Sequence, residues 1–282
     1  MSSQSTPSLD VSLRRPPRQA SVQVGRGSPT LPRALAELAE IQFRLGDWGA
    51  AYSSAKDAVW TARAGCLGDE IRRGLARMAL IEAGLGRADA CRAHAEAALG
   101  ERDSRLVERD RRLVEALAGE ALGFLELGLG RIDAAIERLE TVALICGTDP
   151  RANAITVTWT LDLADARLRR GDRVGARRAL GRLDERARRS GSWVLVAASE
   201  RCRAELAPAD AFDSRFHRAL AWSVRARQPF ERARTELRFG ERLRRARRPR
   251  EARVHLGAAL DGFERVGARP WADAASRELA AA

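Results

Sequence analysis

The sequence predicts an all-α fold: a right-handed superhelix, an α-solenoid of about six helical hairpins with a short C-terminal capping helix. Three observations predict it. Turn points recur at Gly46, Gly86, Gly130 and Gly171, then more weakly at Ala211 and Arg247. Seven residues before each stands a small residue: Ala39, Ala79, Gly123, Ala164, Ala204 or Gly240. Five after each come Ala51, Cys91, Ala135, Ala176, Phe216 and Ala252, and twelve after come Ala58, Ala98, Val142, Leu183, Ser223 and Ala259. The resulting period of roughly 40 residues marks an array of stacked helical repeats. Two antiparallel helices approach closely only where side chains are small, and each hairpin leaves an apolar face that only its neighbour can bury.

In order, the first hairpin is read as residues 33–45 and 48–64. Pro32 suits a first helical turn. Leu35, Leu38, Ile41 and Leu45 have the spacing of a half-buried stripe, and Tyr52, Ala55, Val59 and Trp60 mark the inward side of the second helix. Gly46 ends the first helix as its left-handed cap. The second hairpin pairs residues 69–85, carrying Ile71, Leu75, Met78 and Ile81, with 88–99. After a charged connector, residues 106–129 pair with 132–145, and Asp149-Pro150 is a turn signal. Residues 152–169 pair with 174–189; the Thr156-Val157-Thr158 run is too short to carry a strand amid helical neighbours. Residues 193–206 and 212–225 make the fifth hairpin, and 229–245 with 249–266 the sixth. A last helix, from Pro270-Trp271 to the C-terminus, is placed over the open end of the stack, because a terminal repeat needs a cover.

Residues 1–32 are rich in Ser, Pro, Gly and Arg, lack a helical period, and are predicted to be a disordered tail. Residues 33–282 are then the repeat domain. Arg14-Arg15 is followed by Pro16-Pro17 and not by an apolar segment, so no export signal is read. The 282 residues are 45% hydrophobic and 31% charged, with a formal net charge of +12. No apolar run of about 18 residues occurs, so no membrane-spanning helix is expected, and a cytoplasmic location is. Cys66, Cys91, Cys146 and Cys202 form no CxxC pair and, with three histidines, no zinc spacing. They are expected to be free thiols, and neither a metal nor a cofactor is expected. The basic balance points to anionic partners. Against that, Lys56 is the only lysine, and an excess of Arg, Ala, Leu and Gly is also what GC-rich coding produces.

The first hairpin carries Ala39, Gly46-Asp47, Trp48, Ala51 and Ala58, and in this it resembles the tetratricopeptide repeat. Later copies depart, with Ala88, Ile132 and Arg173 in the aromatic position and a longer period. Three stretches resemble a more particular family: residues 48–99, residues 121–140 (ALGFLELGLGRIDAAIERLE) and residues 229–279, beginning PFERARTELRFGERL. They are similar to the C-terminal repeat arm of actinobacterial LuxR-type regulators of the MalT-like, ATP-dependent class. The resemblance implies an arm that relays effector or partner binding between a P-loop ATPase and a C-terminal helix-turn-helix. No GxxxxGK[ST] is present, and the similarity stops about where the DNA-binding segment would begin. ATP hydrolysis and operator reading therefore do not carry over. What does is a non-enzymatic role in transcription regulation, as an interaction or signal-sensing module.

The A helix of each hairpin should line the concave side of such a stack. One position after each small residue stand Glu40, Leu80, Phe124, Asp165, Glu205 and Glu241. About a turn further on stand Arg44, Gly84, Gly128, Arg169, Ala209 and Arg245. This predicts a groove charged at both ends, with an apolar centre at Leu80 and Phe124, suited to a peptide, a helix or a small effector. The alternative is that Leu80 and Phe124 are core between hairpins. A second function, direct nucleic-acid binding, is read from the run Arg242, Arg244, Arg245, Arg247, Arg248, Arg250 and Arg253, which would contact phosphate beside an adjacent DNA-binding domain. Its alternative is a solvated turn partly paired with Glu241 and Glu251. His94 and His217 lie in separate B helices, and Asp162 and Asp165 lie three apart on one helix. No catalytic residue is assigned from them.

Overall fold

The computed structural model describes residues 28–100, 108–149 and 158–282, which form thirteen helices and no strand. Six hairpins follow one another: α1 (Thr30–Leu45) with α2 (Trp48–Ala64), α3 (Gly68–Leu85) with α4 (Ala88–Leu99), and α5 (Glu108–Gly128) with α6 (Ile132–Thr148). Then come α7 (Trp159–Arg170) with α8 (Arg173–Ser190), α9 (Trp193–Leu206) with α10 (Phe212–Ala226), and α11 (Pro229–Arg245) with α12 (Pro249–Val266). Helix α13 (Arg269–Ala280) closes the series. None of these helices is long and apolar enough to cross a membrane.

The repeat positions explain the hairpins. Gly46, Gly86 and Gly171 end α1, α3 and α7 in the left-handed conformation, which costs a residue without Cβ nothing. Asp47 and Asp172 then cap the next helices, accepting from the amides of Ala50 and Gly175 at 3.0 and 2.8 Å. At the sixth turn Arg247 occupies the same left-handed region, at φ 59°; a turn made without glycine is why its signal is weak. The small positions are contact points. Ala39, Ala51 and Ala58 are fully buried. A Cβ on Gly123 or Gly240 would stand 2.7 Å from Leu139 or 2.6 Å from Leu256 in the facing helix.

Each B helix packs on the A helix of the following hairpin, and successive A helices from α1 to α11 pack on one another. The A helices therefore form the inner layer.

Several boundaries differ from expectation. Helix α1 begins at Thr30, so the last residues assigned to the tail are helical; residues 1–27 lie outside the described residues, as do 101–107 and 150–157. Helix α6 runs on to Thr148, whose hydroxyl donates to the Ile145 carbonyl at 3.1 Å. Of the α1 stripe Leu35 is partly buried, but Leu38, Ile41 and Leu45 are 42%, 55% and 56% exposed. The face that α1 turns to α2 is instead Ala36, Ala39 and Phe43. Trp60, expected to point inward, is exposed.

The largest departure is on the concave side. Helix α13 covers α12 as a cap should, but it also reaches α3, and α11 enters the interior of the stack. Eleven of the seventeen residues of α11 are buried, charged ones among them. Gly46 and Gly86 meet this segment directly. A Cβ on either would stand 2.4 Å from Pro229 or 2.9 Å from Pro270.

Candidate functional site

The concave side is filled. Leu80 and Phe124 are only 6% and 5% exposed, so the open apolar centre gives way to the core alternative. The reason is an aromatic cluster built by both ends of the chain. Phe43 stacks on Trp48 with ring centroids 4.7 Å apart. Phe230 stands 5.3 Å from Trp48 and 5.5 Å from Phe124. Trp271 stacks on Phe124 at 5.7 Å and meets Phe230 edge-on at 5.4 Å. Buried aromatic pairs of this kind contribute about 0.5–1.5 kcal/mol each beyond the area they remove from water. Gly84 and Gly128 are the space this needs: a Cβ there would crowd Trp48 at 2.8 Å and Trp271 at 3.2 Å.

Beside the aromatic cluster lies a buried ionic cluster. Arg234 donates to Asp162 at 2.6 Å, to Glu231 at 3.0 Å and to Asp165 at 3.1 Å. Arg238 donates to Asp165 through Nε and Nη2, both at 2.8 Å, and to Glu241 at 2.6 Å. Arg201 donates to Glu231 at 3.0 Å and to the Thr235 hydroxyl at 3.2 Å. Arg201, Arg234 and Arg238 are thus matched by Asp162, Asp165 and Glu231, all buried. The Arg234 guanidinium also lies 4.9 Å from the Trp271 ring centre, which joins the two clusters. Burying ions is costly unless each is paired and hydrogen-bonded, and here α7, α9 and α11 supply the partners for one another.

The electrostatics divide the carboxylates. Burial pushes Asp162 up to about 7, against the opposing pull of Arg234. Burial also acts to raise Asp165, but Arg238 and Arg234 outweigh it and hold that carboxyl well below the usual range. Glu231 is likewise lowered, its burial overcome by Arg234 and Arg201.

The remaining predicted positions are tied into the same inner layer. Glu40 is clamped between Arg44 and Arg77. Arg169 donates to the Leu127 carbonyl at 2.8 Å, and Arg245 donates to Glu205 at 3.2 Å. A cavity of about 30 Å³ remains between Arg44, Leu80, Phe124 and Phe230, room for about one water. Arg201 on α9 and Arg234 and Arg238 on α11 were not singled out from the sequence, which reads both helices as ordinary members of their hairpins. The available signal was the density of charge beside Phe230, Leu237 and Phe239: Glu231, Arg234, Glu236 and Arg238 are buried with them.

The basic run is largely engaged. Arg242 donates to the Ala207 carbonyl at 3.2 Å, Arg244 to Glu278 at 2.8 Å, and Arg248 to Asp213 at 2.6 Å and Glu251 at 2.5 Å. Arg247, Arg250 and Arg253 are exposed. Of the residues weighed for catalysis, Asp162 and Asp165 belong to the ionic cluster. His94 contacts Glu82 at 2.8 Å, and Glu82 also accepts from the Tyr52 hydroxyl at 3.0 Å. Burial pushes the nearby Cys91 thiol up to about 12. Among the described residues no cluster of His, Cys, Asp or Glu could hold a metal ion.

No protein-family model matches the chain, and no curated protein matches it.

Proposed function

We propose that this chain is a non-enzymatic helical-repeat interaction module, kin to the arms of LuxR-type transcriptional regulators, that receives its partner on the end face of its first hairpin. The exposure of α1 carries this reading. Position for position, Leu38 and Ile41 correspond to Met78 and Ile81 in α3, Leu122 and Leu125 in α5, and Leu163 and Ala166 in α7. Those residues are buried, Leu122 partly, in helices that pack on the preceding B helix. On α1 the same positions stand open, extended by Leu45 and by Leu31 at 37% exposure. A stacking surface with the array's own side-chain chemistry is met by an amphipathic helix of B type, so the partner is a protein that presents one. Phe43, on the inner side of α1, links that face to the aromatic cluster and to α11, which gives a route for relaying the contact.

The test uses a stapled peptide with the α2 sequence (Trp48–Ala64), because α2 is the helix that packs on α3 within the chain. Saturable binding is expected, at least about tenfold weaker in the Leu38→Glu/Ile41→Glu variant, with helicity unchanged. Absent binding, or binding that the substitutions leave intact, contradicts the reading.

Direct nucleic-acid binding through the Arg242–Arg250 face is the second reading. It rests on Arg247 and Arg250, which remain exposed without an ion-pair partner among the described residues. It requires an affinity for duplex DNA that falls steeply with salt and is lost in Arg247→Glu/Arg250→Glu.

A further inference from the structure

Helix α8 carries seven arginines, and its acidic residues, Asp184 and Glu185, are both engaged. One edge of it borders a cleft of about 480 Å³ against α6 and the start of α7. Arg178, Arg182, Arg186 and Arg189 stand along that edge. At 1.5 Å of rise per residue they are spaced about 4–6 Å apart over about 16 Å. Its walls are open at Gly147 and Gly181, where a Cβ would meet nothing within 4 Å.

Among the described residues, arginines outnumber acids in this cleft. Glu185 is the only acid lining it among the described residues, and it is shared by Arg188 and Arg189 at 2.5 Å each. Arg178 and Arg182 are exposed and have no ion-pair partner among the described residues. Trp159 lines the cleft under the Arg186 guanidinium, 5.8 Å from the ring centre, and its buried indole N–H has no acceptor among the described residues. A row of planar forks at this spacing matches successive oxyanions and not a single one, and the guanidinium fork is the side chain best shaped for bidentate phosphate contact. We propose that this cleft binds a linear run of phosphates, as found in a phosphodiester backbone or an inorganic polyphosphate. The site stands apart from the α1 face and does not rest on the partner reading.

The experiment titrates the full chain with sodium tripolyphosphate and, separately, with a short single-stranded oligothymidine, at several salt concentrations. Arg178→Glu/Arg182→Glu should weaken binding at least about tenfold and reduce the salt slope by about two. The milder Arg178→Gln/Arg182→Gln should fall between it and the parent, and the charge-matched Arg63→Glu/Arg277→Glu, at exposed positions outside either basic face, should change little. Because neither Arg178 nor Arg182 has an ion-pair partner to lose among the described residues, helicity should be unchanged in every variant. Binding of both probes assigns the row of charges alone, and binding of the oligonucleotide only assigns a phosphodiester source. If neither probe binds saturably, or if the two Glu double variants lose affinity equally, the attraction is that of a diffuse +12 surface and the site is overturned.

Discussion

Arg234 Nη1 donates to Asp162 Oδ1 at 2.6 Å, joining α11 to α7 across 72 residues of sequence. The contact is buried on both sides, with side chains 2% and 1% exposed. It makes α11 a member of the inner layer and not a terminal repeat, and it places the stability of the stack on a charge that the stack itself neutralises.

Replacing Arg234 with Met should therefore be severe. It keeps most of the side-chain volume but leaves Asp162, Asp165 and Glu231 without their shared cation. Removing one partner of a buried ion cluster costs about 3–5 kcal/mol. Urea denaturation of the variant should show a loss of that size. A loss below about 1 kcal/mol would mean the cluster is more hydrated than its burial implies.

Asp162 gives the protein a particular pH dependence. Its carboxyl is pushed up to about 7 in the folded chain by burial, whereas an unfolded aspartate titrates near 4. Folding therefore takes up a proton between these values. The contribution is full below about pH 4 and is lost as the pH rises toward 7, at up to about 1.4 kcal/mol per pH unit. Asp165 and Glu231, held low by Arg238, Arg234 and Arg201, act in the opposite sense: their stabilisation is present above the usual carboxylate range and is lost in acid. Comparing Tm against pH for the parent and for Asp162→Asn isolates the first effect. The parent should fall relative to the variant between about pH 5 and 7. Parallel curves would contradict the assignment.

Phe124 separates a filled groove from an open one. As a core residue of the aromatic cluster, it should cost about 3–5 kcal/mol when truncated to Ala. Leu80→Glu/Phe124→Glu should unfold the chain outright. If the double variant kept full helicity and an unchanged Tm, α11 would not occupy the concave side.

Parts of this fold were legible in the sequence. The hairpins were, because Ala39, Gly46 and Ala51 and their repeats are local packing and turn requirements written in one period. One position after small contact residues stand Glu40, Phe124, Asp165 and Glu241, whose partners are Arg44 and Arg77, Phe43 and Phe230, Arg234 and Arg238, and Arg238 respectively. The closure was not legible. Phe230 has the same local pattern as any first-turn apolar residue of an A helix, and nothing within its own hairpin says that its neighbours will be Trp48 and Phe124. The α1 stripe misled for the opposite reason. Leu38 and Ile41 have the spacing of buried residues, as their equivalents in α3 and α5 are, but no described helix packs on that face.

Hydrogen exchange along α11 tests the central claim, that the stack closes on its own sixth hairpin. The amides of Phe230 to Leu243 should exchange with the same free energy as those of α5, because α11 can leave only when the aromatic and ionic clusters both break and the whole stack unfolds. Exchange of α11 at a distinctly lower free energy, with α3 and α5 still protected, would show a sixth hairpin that undocks by itself. The concave groove would then be a site open to partners.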